Sequence, residues 1–236
     1  MGIQKFRSQV IASRQISAQC KVISLKLASP KTLVFQAGQH VIMDIPGIES
    51  KRSYSIASTP KQNDSIDLLI DTRPAGPGSS FLASAQEGDA LSFLAPAGQF
   101  IVKPYSPADN VVFIATGSGI CPLRSMIFDI FERNSHPQSV QLLWGLRQFD
   151  DAFWLDEFNL LKKTYTNFSY ALSLSQQTQS GPFLHGRVTD HLKQIVGAQD
   201  QVTYYLCGST EMITSVVEHL NVLEVDAATI NYEKFF

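Results

Sequence analysis

The first half of the chain alternates apolar and polar residues in short segments, which are interrupted by Gly, Pro, Asn and Asp. An alternation with a period of two residues predicts β-strands with one buried face. The pattern runs from Lys5 to about Val102 and predicts strands, for example, at residues 20–27, 40–45, 65–70 and 90–94, with one short helix around residues 79–84. Because no long helix separates these strands, the pattern favours an antiparallel barrel or sandwich.

In the second half, apolar strands alternate with amphipathic helices. The strands are predicted at residues 111–115, 140–144, 168–174, 203–207 and 228–232, and the helices at residues 122–133, 153–163, 189–196 and 211–223. Strands that are joined by helical crossovers form a parallel, doubly wound α/β sheet. Such sheets bind ligands at the carboxyl ends of their strands.

A proline-bearing connector at residues 103–110 separates the two patterns, and 236 residues with 44% hydrophobic content can bury two modest cores. We therefore predict two domains. Residues 1–104 should form the antiparallel β-barrel, and residues 105–236 should form the α/β domain with the parallel sheet.

Charge and cysteine content exclude several classes of protein. The net charge of −2 offers no basic field for nucleic acid. No segment has the apolar run of a signal peptide or a membrane span, so a cytoplasmic protein is expected. Cys20, Cys121 and Cys207 lack the spacing of a zinc site or a two-iron cluster, so no metal site is predicted and any iron–sulfur partner should be another chain.

Two short motifs carry the strongest chemical signal. Residues 52–55, R-S-Y-S, end an extended stretch with a guanidinium, a phenol and a hydroxyl, which can meet a phosphate, an aromatic ring and a ring nitrogen. Residues 117–122, G-S-G-I-C-P, follow an apolar strand and open a helix. Glycines there let backbone N–H groups approach a pyrophosphate, and the helix N-terminus adds partial positive charge.

Together with Cys207-Gly208 and the terminal Glu233-Lys234-Phe235-Phe236, these motifs resemble the ferredoxin–NADP reductase superfamily of FAD-dependent, two-domain oxidoreductases. The resemblance covers nearly all of the chain. It implies that the barrel binds FAD and that the α/β domain binds NAD(P). It also implies an enzyme that transfers hydride from NAD(P)H to FAD and passes electrons to a separate acceptor.

The resemblance also implies which residues contact FAD. Arg52 would pair with the flavin phosphate, Tyr54 would pack against the ribityl and isoalloxazine portion, and Ser55 would hydrogen-bond near flavin N5. Residues 56–58 continue the S-x-x-S run of the superfamily, and residues 78–80 look like its pyrophosphate loop, which favours FAD over FMN. The residues expected at FAD are Arg52, Ser53, Tyr54, Ser55, Gly78, Ser79, Ser80, Phe235 and Phe236.

The nicotinamide site follows from the same resemblance. Its expected residues are Thr116, Gly117, Ser118, Gly119, Pro122, Cys207 and Gly208. Cys207 would lie beside the nicotinamide C4, and the Glu233 carboxylate would lie near the reacting atoms, so Ser55, Cys207 and Glu233 are the candidate catalytic residues. The ring of Phe235 or of Phe236 would cover the isoalloxazine, and the sequence leaves open which of the two does so.

The choice between NADH and NADPH rests on the end of the third strand of the α/β domain. NADP-using relatives present Ser-Arg there, whereas this chain has Ser173-Leu174, and leucine cannot pair with a 2′-phosphate. This favours NADH. Arg147 and Arg187 on neighbouring loops keep NADPH open.

The sequence does not choose the electron acceptor, which could be a ferredoxin, a haem protein, an oxygenase component or free flavin. One alternative is a free-flavin or ferric-chelate reductase, in which flavin is a substrate that comes and goes. Another is a regulatory subunit that binds flavin and nucleotide without turnover. The predicted pyrophosphate loop argues against the first, and the presence of Ser55, Cys207 and Glu233 argues against the second.

Overall fold

The computed structural model describes residues 2–49, 51–73, 76–196 and 201–235. The chain divides into two compact units. The first comprises Met1–Lys103 and Arg124–Glu132, and the second comprises Pro104–Leu123 and Arg133–Phe236. A stretch of helix that follows the connector in sequence therefore belongs to the first unit.

Besides the helical stretch Arg124–Glu132, the described part of the first unit contains six antiparallel strands and one helix. The strands are β1 (Gln4–Gln15), β2 (Cys20–Ser29), β3 (His40–Met43), β4 (Arg52–Ser55), β5 (Ser65–Asp71) and β6 (Ala90–Ala97), and the helix is α1 (Pro77–Ser84). Their order in the sheet is β4-β3-β6-β1-β2-β5. A bridge between Ile56 and Leu68 joins the two edges, so that the sheet nearly closes on itself. The predicted antiparallel barrel is confirmed.

Strand β1, the longest strand of the barrel, lies at the start of the region with the predicted strand pattern, but the pattern did not define its bounds. Its buried face carries Phe6, Ser8 and Val10, and the residues between them are polar and exposed. The Phe6 ring stacks on Phe93 of β6 with ring centroids 5.5 Å apart. Because a serine occupies one inward position and bonds the Leu91 carbonyl, the hydrophobic alternation is interrupted and the strand signal is weak.

The second unit contains a six-stranded sheet in which every paired strand is parallel. The strands are β7 (Asn110–Thr116), β8 (Ser139–Leu146), β9 (Phe168–Leu174), β10 (Leu184–His185), β11 (Val202–Ser209) and β12 (Ile230–Phe235), and the helices of this half of the chain are α2 (Ile120–Glu132), α3 (Leu155–Thr164), α4 (Leu192–Val196) and α5 (Thr210–Val222). The order of the strands in this sheet is β10-β9-β8-β7-β11-β12. The predicted doubly wound α/β sheet is confirmed.

The strand order reverses between β7 and β11, which are hydrogen-bonded neighbours. A doubly wound sheet opens a crevice at such a switch point, beyond the carboxyl ends of the two strands. The segments that follow these ends are residues 117–122 after β7 and the turn into α5 after β11. The fold therefore brings two of the predicted nucleotide motifs to one place.

Two of the differences between the predicted and the observed element boundaries have a local cause. The helix predicted at residues 189–196 is a 3₁₀ turn, Val188–His191, followed by the short α4. The last strand begins at Ile230, because Asp226 accepts a hydrogen bond from the Ala228 N–H and caps a 3₁₀ turn there. Within the described residues, no helix is both long and apolar enough to cross a lipid bilayer.

Candidate cofactor-binding sites

The R-S-Y-S motif forms β4, an edge strand of the barrel sheet that pairs with β3. Arg52 and Tyr54 lie half-buried on one side of the strand, whereas Ser55 is buried and lies opposite His40. Burial raises the pKa of the Tyr54 phenol, with a smaller opposing effect from the Arg52 charge. The phenol therefore keeps its proton at neutral pH and remains a hydrogen-bond donor.

The start of helix α1 packs directly on this motif. A Cβ atom at Gly78 would lie 2.7 Å from the Tyr54 Oη and 3.0 Å from the Arg52 Cγ, so a side chain there would displace both. Gly76 at the N-cap provides no capping side chain, which leaves the helix start suited to an anion. The predicted pyrophosphate loop, residues 78–80, is thus the first turn of α1, and its Gly78 lies against Arg52 and Tyr54, an arrangement that fits a phosphate of FAD.

The residues after Ser55 serve the barrel itself. The Ser58 hydroxyl is buried and accepts a hydrogen bond of 3.1 Å from the Asp67 N–H of β5. The Ala57 N–H donates to the Asp67 carbonyl at 2.8 Å. The second serine of the S-x-x-S run is therefore bonded to the neighbouring strand. The short sequence motif did not indicate this structural role.

The G-S-G-I-C-P segment connects β7 to α2 through a 3₁₀ turn, Gly117–Gly119. Gly117 has a φ of 54°, a conformation that favours glycine. The buried Trp144 donates a hydrogen bond of 3.0 Å from its Nε1 to the Gly117 carbonyl and fixes the first peptide of the turn. Pro122 lies in the first turn of α2, where a missing N–H costs no helical hydrogen bond. Sequence reasoning missed Trp144, which reads as one more apolar residue of a buried strand.

Gly119 packs against the end of β11. A Cβ atom on Gly119 would overlap the Cys207 carbonyl and lie 2.8 Å from the Gly208 nitrogen. A Cβ atom on Gly208 would in turn overlap the Thr116 Oγ1 and lie 3.2 Å from the Thr116 nitrogen. Four predicted nucleotide-site residues therefore meet at the switch point, in a packing that excludes side chains at both glycines.

Cys207 and Glu233 lie side by side, because they are register partners on the parallel strands β11 and β12. Burial raises the pKa of the Cys207 thiol well above its usual range, and the nearby Glu233 and Cys121 add to this effect. The thiol therefore stays neutral, as a group that orients a ligand by contact must. Burial also raises the pKa of Glu233 from 4.5 to about 7. This carboxyl can hold or release a proton at neutral pH.

Comparison with known proteins agrees with this geometry. Residues 7–102 match the oxidoreductase FAD-binding domain family, and residues 113–218 match the oxidoreductase NAD-binding domain family. The chain is 31% identical to a ferredoxin–NADP reductase of Sorangium cellulosum, over 91% of each protein. It is also 31% identical to the reductase component of a Pseudomonas phenol 2-monooxygenase, covering 99% of this chain and 66% of that one.

The chain belongs to the ferredoxin–NADP reductase superfamily. The predicted family, with one FAD-binding and one NAD-binding domain, is confirmed. The fold is shared with a solved cytochrome P450 reductase of Amycolatopsis, with a TM-score of 0.90 and 24% identity over 99% of this chain and 70% of that one. The chain spans about two thirds of the phenol 2-monooxygenase reductase, at 66% of its length.

The aromatic tail that this superfamily suggests lies only partly within the described residues. Phe235 ends β12, is half-buried, and is the register partner of Ser209. Phe236 lies outside the described residues. Coverage of the isoalloxazine by either ring stays a prediction.

The position that should select between the superfamily's two nucleotides is the end of β9. Leu174 is buried, at 1% exposure, and cannot reach a ligand phosphate. The Arg147 carbonyl accepts a hydrogen bond of 2.9 Å from the Gln176 N–H, and Gly186, next to Arg187, donates to the Leu174 carbonyl at 3.0 Å. Both exposed arginines therefore lie on loops that adjoin the end of β9. Among the residues that the structure describes, no three His, Cys, Asp or Glu side chains are grouped to hold a metal ion.

Proposed function

We propose that this protein is an FAD-dependent reductase that moves a hydride from NADH to the flavin and passes the electrons to a separate acceptor protein. The proposal rests chiefly on the close packing of Gly119 against Cys207 and Gly208 at the switch point of the second unit, where doubly wound sheets bind their ligands. The packing of Gly78 against Arg52 and Tyr54 supports a flavin site in the first unit.

FAD, when bound, supplies the chemistry that accepts two electrons together and releases them one at a time. The role of the chain is to bind the flavin and the nicotinamide and to orient them. Arg52 would hold the flavin phosphate with its planar guanidinium, and the Ser55 hydroxyl would hydrogen-bond near flavin N5. Cys207 orients the nicotinamide ring by contact, because its neutral thiol is held in the sheet. Beside Cys207, the Glu233 carboxyl can hold a proton, since the pKa of Glu233 is about 7.

The acceptor is proposed to be an iron–sulfur protein or an oxygenase component. Support comes from the relatives, which include the electron transfer component of a toluate 1,2-dioxygenase of Pseudomonas putida, 30% identical over 98% of this chain. We propose that the reaction takes place in the cytoplasm. The three cysteines, all within the described residues, are buried and form no disulfide, which suits a reducing compartment.

The buried Leu174 leads us to propose NADH rather than NADPH as the preferred donor. Arg147 and Arg187 provide the alternative, since either could reach a 2′-phosphate from its loop. In this proposal, residues 105–236 carry the nucleotide and residues 1–104 carry the flavin.

Anaerobic mixing of the purified protein with NADH tests the proposal. We expect a yellow protein after desalting, with about one FAD per chain, whose visible absorbance bleaches within the mixing experiment. A protein that keeps FAD and is not bleached would be a regulatory subunit. A protein that loses its flavin on desalting, yet oxidises NADH when free flavin is added, would be a free-flavin reductase.

A further inference from the structure

Two side chains of helix α2 hold the segment that follows the flavin motif. Arg124 donates a hydrogen bond of 2.7 Å from its Nη1 to the Ala57 carbonyl. Ser125, which is fully buried, donates one of 2.6 Å from its Oγ to the Ser58 carbonyl. Successive residues of one helix thus bind two successive carbonyls of the barrel.

The same segment is fixed from the other side by the barrel strands. The Ile56 N–H donates to the Gln39 carbonyl at 3.1 Å, and the Ala57 N–H donates to the Asp67 carbonyl at 2.8 Å. The Ser58 hydroxyl accepts from the Asp67 N–H. Buried peptide groups need such partners, and here the strands take the N–H groups while α2 takes the carbonyls. Residues 56–58 therefore have little freedom to shift.

Helix α2 also supports the strand that lies opposite Ser55. A Cβ atom on Gly38 would overlap the Cε of Met126 and the Phe100 carbonyl. The segment just before β3 therefore packs against the helix. His40 of β3 is the register partner of Ser55. The Arg124 guanidinium is itself held over the Phe128 ring, 4.9 Å from the centroid. The turn of α2 that carries Arg124, Ser125 and Met126 thus contacts the segment just before β3 and the segment just after β4.

We infer that Arg124 and Ser125 are positioning residues for flavin reduction. By holding residues 57 and 58, they fix the position of the Ser55 hydroxyl. The inference rests on the proposed function, in which that hydroxyl bonds near flavin N5. Removal of the Ser125 hydroxyl leaves the Ser58 carbonyl without this donor in a buried place, so the 56–58 segment must shift to recover a bond. A shift of even part of an ångström at a reacting group slows the reaction severalfold or more.

The test compares three serine variants of the holoenzyme. Ser125→Ala removes the donor, and Ser125→Thr keeps a hydroxyl. Ser8→Ala is the matched control, because Ser8 is also buried in the first unit and donates to a barrel carbonyl, that of Leu91, at 3.2 Å. The limiting rate of flavin reduction and the Kd for NADH are measured by anaerobic stopped flow, together with the flavin absorption spectrum and midpoint potential.

We expect Ser125→Ala to lower the limiting rate by about tenfold and to alter the flavin spectrum or potential, with the Kd for NADH within about twofold of wild type. Ser125→Thr should recover most of the rate, and Ser8→Ala should keep it. A rate for Ser125→Ala that equals that of Ser8→Ala would overturn the inference.

Arg124 provides a second variant if Ser125→Ala does not fold. Because Arg124 is only partly buried, Arg124→Met should leave the fold intact, lower the limiting rate severalfold, and be improved by Arg124→Lys. Unchanged rates in Arg124→Met would also contradict the inference. Failure of the proposed function is separate, since in that case wild-type flavin would not be reduced by NADH at all.

Discussion

The Glu233 carboxyl makes the stability of the second unit depend on pH. Burial raises its pKa from 4.5 to about 7, so the folded protein keeps this proton over a range in which the unfolded chain has released it. The free energy of unfolding therefore falls as the pH rises from about 4.5 to about 7. Above that range, the folded protein bears the full cost of a buried, ionised carboxylate. Replacement of Glu233 by glutamine keeps the shape and removes the cost.

The magnitude follows from the size of the pKa change. One pH unit corresponds to about 1.4 kcal/mol, so the interval from 4.5 to about 7 amounts to about 3 kcal/mol. Glu233→Gln should thus be more stable than wild type by under about 1 kcal/mol at about pH 5, and by about 3 kcal/mol at about pH 8. Tryptophan fluorescence in urea measures this directly, because both tryptophans, Trp144 and Trp154, lie in the second unit.

Glu211→Gln is the matched control for this prediction. Glu211 is exposed in the first turn of α5, and its own backbone N–H together with the Ser209 hydroxyl lowers its pKa. Removal of that charge should therefore stabilise the protein at neither pH. If Glu233→Gln gives the same stability change at both pH values, or is less stable than wild type at the higher one, the carboxyl is not protonated in the folded protein and the reasoning is wrong.

Three further predictions address the two cofactor sites. Gly119→Ala should destabilise the second unit by about 1 to 3 kcal/mol and weaken NAD⁺ binding in spectral titrations, whereas Gly2→Ala, where a Cβ meets nothing within 4 Å, should change neither. Arg52→Met should weaken FAD by about one to two orders of magnitude, since a charge-assisted phosphate contact contributes about 1.5 to 3 kcal/mol; equal affinities in equilibrium dialysis would contradict this. Steady-state kcat/KM should favour NADH over NADPH because Leu174 is buried, and a preference for NADPH that vanishes in Arg187→Ala would assign the pocket to Arg187 instead.

Hydrophobic periodicity was sufficient to predict most of the fold. Strands β7, β8 and β11 are nearly continuous, largely buried apolar runs, and the five predicted strands of this half agree with the structure to within a few residues, whereas β10 was not predicted. The bounds of β1 and the split of α4 were not predicted, for local reasons. Ser8 interrupts the inward pattern of β1, and a 3₁₀ turn at Val188–His191 replaces the first part of the helix.

The site was predictable only where its chemistry is local in sequence. The two motifs carry their glycines and hydroxyls in adjacent positions, so they can be read directly. The pairing of Cys207 with Glu233 depends on the register between β11 and β12, and the contact of Gly119 with Cys207 depends on the switch point of the sheet. Both are contacts between residues far apart in sequence, which periodicity does not specify.

The S-x-x-S run shows that a sequence motif can include residues that support the structure as well as residues proposed to contact the ligand. Ser55 is the residue proposed to face the flavin, whereas the Ser58 hydroxyl is already bonded to the Asp67 N–H, and its carbonyl is bonded to Ser125. The spacing of the two serines is therefore set by where β4 meets β5 and α2. A change at Ser58 should act on the flavin only through the position of Ser55, so the second half of the motif belongs to the scaffold that holds the first half in place.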